Sequence, residues 1–374
     1  MKVLLTATVQ SHIAQFHRPL ATMLHRHRYE VHVAAGDNLA EKNGLKLDFA
    51  DKVYDIPFAR SPRSLDNLKA YMQLRRILQS ETYDVIHCNT PMGGIVTRLA
   101  AKNVRKRGTK VFYTAHGFHF YRGAPRRNWL LFYPVEKYFA RYTDKLITIT
   151  TEDARLARRR FSCPVEFIHG VGVDERRYHP VSGQEKARLK QAMGFAEKQR
   201  LILCVGELRP NKNQQMGIRA MKQVIVQEPD ALLLLAGNGK QKSALEQLIV
   251  ELGLQQHVRL LGYRTNLEDY LRIADIAISC SHREGLPLNI VEAMLSKTPI
   301  VAARNRGHNE LLCDGKNGIL VDQDDSAGMA SGILQLFANE RLRNDLTAAG
   351  ALFAGQYTFD NVEKELEKIY FPEE

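Results

Sequence analysis

Two glutamates eight positions apart form the segment of this chain with the clearest chemical potential. Glu284 and Glu292 flank a glycine and Pro287, and the apolar run 276–280 lies just upstream. Proline suits the first turn of a helix, where its missing N–H is not needed, so we expect Glu284 on a loop and Glu292 on the second turn of a helix over 288–297. Free N–H groups at such a helix start, here those of Leu288, Asn289 and Ile290, bind phosphate, and carboxylates accept hydrogen bonds from sugar hydroxyls. The pattern predicts a nucleotide-sugar site; a capped surface helix with two solvated glutamates is the alternative.

A second loop supplies positive charge. Gly206, Arg209 and Lys212 follow the apolar run 201–205 on a stretch rich in Gly, Pro and Asn. Two cations beside a helix start can neutralise a diphosphate that gains charge as a sugar departs. Arginine offers a two-pronged fork and lysine a compact charge. A solvated turn ahead of the next helix is the alternative.

The order of these motifs resembles that of family 4 glycosyltransferases, retaining enzymes of the GT-B fold. The shared landmarks are 205–213, 260–263, 274–276, 284–294, 306–311 and 317–321, with 114–118 and 170–174 in the first half. One position departs, because the family commonly has arginine directly after the glycine, where this chain has Glu207. The overall pattern is similar to enzymes that build bacterial exopolysaccharide or capsule repeat units.

The resemblance implies a role for each matching residue. Glu292 would hold the nucleotide ribose, while Glu284 and His116 would face the donor sugar as the catalytic pair. The positions that would bind the donor are Gly206, Arg209, Lys212, Tyr263, Gly285, Leu288, Asn289, Ile290 and Glu292. The resemblance further implies a UDP-sugar donor, retention of anomeric configuration and no obligatory cofactor.

His116 ends a predicted strand over 110–115, and Gly117 allows a ligand to come close to the backbone. A structural histidine is the alternative. Ser11, His12 and His119 are weaker candidates for the acceptor side; Ser11 and His12 lie on the loop after the first strand, where the family's usual glycine pair is missing.

Two short motifs are weaker signals. Gly237 and Gly239 form a G-x-G pair without a third glycine, which favours a tight turn over a dinucleotide site. Asp322 and Asp324 form a D-x-D triplet that could hold a metal ion, but a solvated loop is the preferred interpretation. We therefore predict no obligatory metal.

A basic and aromatic segment over 118–142 suits either a membrane interface or a core helix. Arg122, Arg126, Arg127 and Trp129 are its candidate membrane contacts. Three arginines at about 1 kcal/mol each near an anionic surface would allow weak, reversible docking. A second basic cluster over 155–160 is interpreted as a solvated helix face.

Composition narrows the protein class. The first 180 residues carry 30 Lys and Arg against 16 Asp and Glu, a net charge of +14; the remaining 23 and 25 give −2. An anionic partner for the first half is therefore expected. Five scattered cysteines without a C-x-x-C pair favour free thiols in a reducing compartment. With no signal-peptide pattern before the strand 3–9, we expect a cytoplasmic protein, peripheral on the inner face of the plasma membrane if the basic segment docks there.

Short apolar runs alternate with helical stretches throughout the chain, as in α/β folds. Seven strands are predicted before residue 170 and six after residue 200, which indicates two doubly wound parallel sheets. Ligands of such sheets lie beyond the carboxyl ends of the strands, and in the GT-B fold they lie in a cleft between facing domains. The predicted domains are 1–180 for the acceptor, 181–358 for the nucleotide sugar, and a helix over 359–374 that crosses back to the first domain.

The predicted function is retaining transfer of a hexose or N-acetylhexosamine from a UDP-sugar to a lipid-linked saccharide in surface polysaccharide biosynthesis. A polyprenyl-diphosphate-linked acceptor would account for both the basic excess and the aromatic segment. A UDP-sugar 2-epimerase of the same architecture is the alternative enzyme. A basic RNA-binding protein is the non-enzyme alternative, but no nucleic-acid-binding signature is present, so no nucleic-acid partner is expected.

Overall fold

The computed structural model describes residues 1–41 and 44–372, so the last two residues of the predicted C-terminal segment lie outside it. The chain forms two compact units. Unit 1 comprises Met1–Gly172 together with the chain from Phe359 onward, and unit 2 comprises Val173–Thr358. Among the described residues, no helix combines the length and the apolar character needed to cross a membrane.

Unit 1 is built around a parallel sheet. Its described strands are β1 (Lys2–Val9), β2 (Glu30–Gly36), β3 (Lys52–Asp55), β4 (Val85–Asn89), β5 (Lys110–Ala115), β6 (Lys145–Thr148) and β7 (Val165–Phe167). Its described helices are α1 (Gln10–Phe16), α2 (Arg18–Arg26), α3 (Asp66–Ser80), α4 (Pro91–Ala100), α5 (Lys102–Arg105), α6 (Arg126–Phe139), α7 (Thr151–Arg160) and, at the C-terminal end, α16 (Phe359–Tyr370). The strand order is β3-β2-β1-β4-β5-β6-β7.

Strand β1 lies in the middle of this sheet because it pairs on both sides. Val3 lies opposite Val31 on one neighbour and opposite Val85 on the other, both in parallel register. Helices cover both faces of such a sheet, so its central strands are almost continuously apolar. Val3 through Thr8 are accordingly all buried.

Unit 2 repeats the architecture with six described strands. They are β8 (Arg200–Val205), β9 (Ala231–Ala236), β10 (Val258–Gly262), β11 (Ile276–Ser279), β12 (Ile300–Ala303) and β13 (Ile319–Val321). Its described helices are α8 (Gly183–Ala192), α9 (Gln214–Gln227), α10 (Lys242–Glu251), α11 (Leu267–Ile273), α12 (Leu288–Leu295), α13 (Arg306–Leu311), α14 (Ser326–Ala338) and α15 (Glu340–Ala354). The strand order is β10-β9-β8-β11-β12-β13.

Alternating side chains of the central strand β8 fill two cores, one on each face of the sheet. Ile202 and Cys204 pack into one cluster, whereas Leu201 and Leu203 pack into the other. This period-two division is what a strand covered on both faces requires. The thirteen predicted strands and the α/β class with two doubly wound sheets are confirmed.

The two units divide between Gly172 and Val173, earlier in the chain than the predicted 180. Val173 and Tyr178 are buried in a core of unit 2, so the segment before Pro180 belongs to that unit. Gly172 has φ +83°, and a Cβ there would lie 2.6 Å from the ring of Phe359. The chain leaves unit 1 after Gly172 and re-enters it at Phe359, and these two residues lie next to each other in space.

Candidate functional site

The central strands of unit 2 bring the predicted donor-binding loops together. In its sheet β8 lies between β9 and β11, so the connections from β8 and β11 run to opposite sides. A crevice at the carboxyl ends of the strands forms at such a switch point and receives ligands in doubly wound sheets. The loops after β8, β11 and β12 carry Lys212, Glu284 and Gly307 respectively.

Lys212 and Glu284 form an ion pair at this point, with Nζ 2.6 Å from Oε1. Their side chains are 27% and 14% exposed, so the pair is partly shielded from water. The stem of Lys212 lies across Gly206, where a Cβ would be 3.4 Å from it. A lysine ammonium has three N–H donors, so two remain for an anion while Glu284 accepts the third.

Helix α12 begins beside this pair, one residue later than Pro287. Pro287 has φ −80° and ψ 97° and is the N-cap residue, so the prediction that it lies inside the first turn was wrong. No side chain caps the helix. The N–H of Ile290 was predicted to be free, but it donates to the Pro287 carbonyl at 3.0 Å. The side-chain amide of Asn289 donates to the Val205 carbonyl at 3.5 Å and joins the helix start to the end of β8.

Glu292 lies on the second turn of α12, as predicted, next to a residue that the sequence did not single out. The Tyr178 hydroxyl lies near the Glu292 carboxyl. Burial raises the pKa of Glu292 to about 7, against the opposing effects of Tyr178 and the nearby Arg177. Burial, followed by the charge of Glu292, also raises the pKa of Tyr178. The nearest sequence signal for Tyr178 is the landmark over 170–174, only four residues upstream.

Arg209 is paired within its own loop. Its Nε lies 2.6 Å from Oε1 of Glu207, the residue that departs from the family pattern. Both side chains are exposed, so the charge of Arg209 is offset in this structure. Tyr263, another predicted contact, is exposed just after the edge strand β10.

Residues at the start of α13 pack directly against Glu284. A Cβ at Gly307 would lie 2.6 Å from the Glu284 Cβ, so only glycine fits there. Asn305 caps the helix by accepting from the N–H groups of Gly307 and His308, each at 2.9 Å. His308 is fully buried; its Nδ1 donates to the Ala303 carbonyl, and among the described residues its Nε2 has no hydrogen-bond partner. The sequence identified this stretch only as a landmark and did not assign His308 a role.

The two weak motifs have structural explanations. Cβ atoms at Gly237 and Gly239 would lie 2.0 Å from the Gly206 carbonyl oxygen and 2.3 Å from the Leu208 carbonyl oxygen, so these glycines let two backbone loops touch. Asp324 Oδ1 accepts from Asn213 Nδ2 and pairs with His282 Nε2, each at 2.9 Å. The carboxylate therefore ties three loops together.

In unit 1, His12 follows β1 and His116 follows β5, two strands separated by β4, and the two side chains contact each other. Their Nε2 atoms are 3.1 Å apart, so one donates and the other accepts. Asn89, at the end of β4 between them in the sheet order, places its Oδ1 3.1 Å from His116 Nε2. Burial lowers the pKa of His116 to about 4, and burial followed by the nearness of His116 lowers that of His12. Both imidazoles are therefore uncharged at neutral pH.

Two further histidines complete the group, and the sequence assigned neither a role. His87 is fixed through both ring nitrogens, Nδ1 to the Tyr370 hydroxyl at 2.6 Å and Nε2 to the Thr114 hydroxyl at 2.7 Å. His17 is 4% exposed, and its Nε2 has no hydrogen-bond partner in the part of the chain that the structure describes. The available sequence signal was the concentration of histidines: ten of the thirteen precede residue 181.

The other predicted acceptor-side residues have their own partners. Ser11 is buried and exchanges two hydrogen bonds with Asn38, through its N–H at 3.0 Å and its hydroxyl at 2.9 Å. The ring of His119 stacks on Phe132, with centroids 4.7 Å apart. Ser11 therefore makes a structural contact with Asn38, whereas His119 and His12 both line a cavity.

This cavity has a volume of about 800 Å³ and lies within unit 1. Apolar side chains form much of its wall; they include Val9, Met92, Ile95, Phe118, Leu131 and Val135. Arg60 and Arg63, both exposed, also line it. Beneath it, the buried Arg98 pairs with Glu136 at 2.9 Å, and the Tyr113 hydroxyl donates to the same carboxylate at 3.0 Å.

The predicted membrane contacts lie on helix α6 or just before it, and they form two groups, one partly buried and one exposed. Trp129 turns inward: its indole N–H donates to the Tyr121 carbonyl at 3.2 Å, and its ring packs near Phe120. Arg122, Arg126 and Arg127 are exposed. Leu130 and Leu131, which the sequence did not separate from Trp129, are 76% and 64% exposed. Leu130 and Leu131 are therefore the most exposed apolar side chains of this helix, followed by Tyr138, Phe132 and Val135.

Two Rossmann-like units of this kind define the GT-B class of α/β proteins. The sequence pattern described as "Glycosyl transferases group 1" matches residues 185–353, and that described as "Glycosyl transferase 4-like domain" matches residues 13–171. EpsD of Bacillus subtilis (strain 168), which is named as a glycosyltransferase, is 39% identical over 371 residues, covering 99% of this chain and 96% of EpsD. The chain belongs to the family 4 glycosyltransferases.

More distant comparisons agree with this assignment. A galactosyltransferase of Escherichia coli, named as transferring from UDP-Gal to α-D-GlcNAc-diphosphoundecaprenol, is 25% identical over 80% of this chain and 79% of its own length. The crystal structure of Anabaena HepE in complex with UDP superposes with a TM-score of 0.80, covers 99% of both chains and is 21% identical, which shows the shared fold. The protein is therefore a glycosyltransferase related to enzymes of bacterial polysaccharide biosynthesis.

Proposed function

We propose that this enzyme transfers a hexose or N-acetylhexosamine from a UDP-sugar to a lipid-linked saccharide, with retention of anomeric configuration. The observation that carries the proposal is the Lys212–Glu284 pair beside the uncapped start of α12. This arrangement offers a cation and helix N–H groups to a diphosphate, and a carboxylate to the sugar attached to it.

The nucleoside end of the donor would lie one helical turn further along α12. The Glu292 carboxylate can accept hydrogen bonds from two vicinal ribose hydroxyls, and the Tyr178 hydroxyl lies near it. UDP is favoured over other nucleotides because HepE is described in complex with UDP and with UDP-glucose, and the Escherichia coli relative is named for UDP-Gal.

Glu284 would position the donor sugar, together with His116 as the family resemblance implies. Its carboxylate is already bound to the Lys212 ammonium at 2.6 Å, which lowers its nucleophilicity. We therefore assign Glu284 to positioning and not to a covalent glycosyl-enzyme. Retention itself is tested by proton NMR of the first product formed: an α-linked product from an α-linked UDP-sugar supports the proposal, and a β-linked product overturns it.

The donor site is tested by thermal shift with UDP, GDP, ADP and CMP. We expect UDP to raise the melting temperature most, and the Lys212→Ala variant to lose that shift. Lys222→Ala, which removes an exposed lysine from α9, is the matched control and should keep it. Equal stabilisation of Lys212→Ala and wild type would remove Lys212 from the site, and a larger shift with GDP would replace UDP as the donor nucleotide.

The acceptor would occupy the cavity of unit 1. Its apolar wall suits a polyprenyl chain, and Arg60 and Arg63 suit the diphosphate that links such a chain to its saccharide. The relative from Escherichia coli is named for an acceptor of this type. A volume of about 800 Å³ is within the range of small-molecule sites.

Paired variants test this placement. Arg60→Ala with Arg63→Ala should raise KM for a lipid-linked acceptor and leave the UDP thermal shift unchanged. Arg75→Ala with Arg76→Ala on α3, also exposed in unit 1, is the control for total charge. If both double variants raise KM equally, the effect is a general charge effect and the cavity assignment fails.

The exposed leucines of α6 would contact the membrane that carries the acceptor. Leu130→Ser with Leu131→Ser should abolish co-sedimentation with vesicles of anionic phospholipid, because burying these side chains in the interface supplies the apolar part of binding. Leu352→Ser removes a leucine that is equally exposed but lies on α15 of unit 2, and it should have no effect. Vesicle binding by the double variant at the wild-type level would contradict the proposal.

A further inference from the structure

Three histidines of unit 1 lie close enough together to share one ligand. His12 lies on α1, His17 lies between α1 and α2, and His116 follows β5. One imidazole nitrogen from each residue lies within 4.8 Å of the other two. Among the described residues, these three histidines are the group of side chains placed closely enough to hold a metal ion. We propose that His12, His17 and His116 bind a divalent transition-metal ion of the zinc type.

The separation of the first two nitrogens fits a metal. A tetrahedral Zn²⁺ with two bonds of about 2.0–2.1 Å to imidazole nitrogens places those nitrogens roughly 3.3 Å apart. The observed distance between His12 Nε2 and His116 Nε2 is 3.1 Å. On binding a metal, His116 Nε2 would give up its contact with Asn89 Oδ1, also at 3.1 Å, and its proton would move to Nδ1. The His17 nitrogen now lies at most 4.8 Å from the other two nitrogens. To bind the same ion, it must approach each of them to roughly 3.3 Å.

The second observation is the unsatisfied state of His17. Its main chain is fixed, since its N–H donates to the Ile13 carbonyl and its own carbonyl accepts from Ala21, both at 2.9 Å. Its side chain is buried, yet Nε2 has no hydrogen-bond partner among the described residues. A buried polar atom without a partner is destabilising, and a metal bond at this nitrogen would offset that cost.

The neighbouring histidine shows what a purely structural role looks like. Both nitrogens of His87 are occupied by hydroxyl groups, of Tyr370 and Thr114. His87 therefore belongs to the packing behind the cluster and is not a ligand. The three remaining imidazoles form a nitrogen donor set, which suits Zn²⁺, Cu²⁺ or Ni²⁺ and disfavours Mg²⁺ and Ca²⁺.

The site also has an access route. His12 lines the cavity of about 800 Å³, so an ion could enter from there and keep its fourth position open to water or to a hydroxyl group. Metal binding would immobilise His116. If His116 contacts the donor sugar, as the proposed function holds, Zn²⁺ should slow transfer; only this consequence, not metal binding itself, depends on the proposed function.

Isothermal titration of the chelator-treated full chain with ZnCl₂ tests the site directly. We expect one equivalent to bind tightly, no heat with MgCl₂, and at least tenfold weaker binding in His17→Gln. The control is His25→Gln, which removes an exposed histidine paired with Asp51 elsewhere in unit 1 and should bind like wild type. His12→Gln is the second ligand variant, and Trp129 fluorescence verifies that each variant is folded.

Each outcome is decisive. Tight binding of one equivalent that is weakened by both ligand variants and not by the control supports the site. Absence of tight binding to wild type, or equal binding by wild type, His17→Gln and His12→Gln, overturns it. UDP-induced stabilisation is measured in the same preparation without metal, so failure of the metal site is distinguishable from failure of the donor site.

Discussion

The two units share a strand order and differ in the chemistry placed at the carboxyl ends of their strands. In unit 2 the loops after the central strands carry charged side chains, Lys212 and Glu284, joined at 2.6 Å. In unit 1, His12 follows the first strand and His116 the fifth, and burial keeps both imidazoles uncharged. The topology therefore fixes where a ligand lies, while the side chains placed there differ, a charged pair in unit 2 and uncharged imidazoles in unit 1.

The largest expected effect is on stability and concerns the buried ion pair of unit 1, Arg98 with Glu136. Arg98→Met leaves Glu136 buried without its partner, which should lower the free energy of unfolding by about 3–5 kcal/mol. Urea denaturation followed by Trp129 fluorescence measures it, because the chain's single tryptophan lies in unit 1. Adding Glu136→Leu should recover most of the loss, and Arg76→Met, on an exposed position, should change little. A double variant no more stable than Arg98→Met would show that the ion pair is not the cause.

The next effect concerns the charge pair of unit 2. Glu284→Gln keeps the shape of the side chain but removes its charge, and we expect kcat to fall about 10²–10³-fold through lost positioning of the sugar. The UDP thermal shift should persist because Lys212 is then free for phosphate. Glu246→Gln, exposed on α10, is the control. Loss of the UDP shift in Glu284→Gln would instead make this residue part of the nucleotide pocket.

A pH dependence distinguishes Glu292 from the other carboxylates of unit 2. Its pKa of about 7 lies above the ordinary value of 4.5, so the group is protonated below pH 7 and ionised above it. Since the ionised form accepts hydrogen bonds from ribose, UDP affinity should fall about tenfold between pH 8 and pH 6. The terminal phosphate of UDP titrates in the same range, so the measured quantity is the affinity ratio of wild type to Glu292→Gln. A ratio constant with pH would contradict the assignment.

The smallest effect tests the departure from the family pattern. Glu207→Ala should free Arg209 from its exposed ion pair and tighten UDP binding by up to about fivefold, as the modest energy of surface ion pairs allows. Titration calorimetry at two salt concentrations measures it. Glu207→Gln should give the same gain, because the charge and not the side-chain volume is responsible. Weaker UDP binding in both variants would show that Glu207 itself contacts the donor.

The sheets were predictable because their signal is local and repeated. Each central strand, such as 201–205, is a short apolar run between polar turns, and burial on both faces requires that pattern. The start of α12 was predicted to within one residue, because proline limits where a helix can begin. The hydrogen bond from the Ile290 N–H to the Pro287 carbonyl could not be predicted, since it depends on how tightly the first turn closes.

The side-chain partners were less accessible from the sequence because they depend on contacts between distant segments. Tyr178 lies more than one hundred positions before Glu292, and no spacing rule joins them. Trp129 and Leu130 are adjacent in sequence, yet one packs inward and the other is exposed. His17 lacked a motif of its own, and only the folded chain brings it near His12 and His116.

The position of the last described helix affects the order in which the two units can be completed during synthesis. Helix α16 belongs to unit 1, where Tyr370 holds His87 and Glu365 pairs with His169 at 2.6 Å. A chain emerging from the ribosome therefore presents all of unit 2 before unit 1 has its final helix. The second unit of the sequence can finish folding first, and the histidine cluster is not fully supported until synthesis has passed residue 370. A chain terminated before residue 359 would thus contain all of unit 2 but lack the last helix of unit 1.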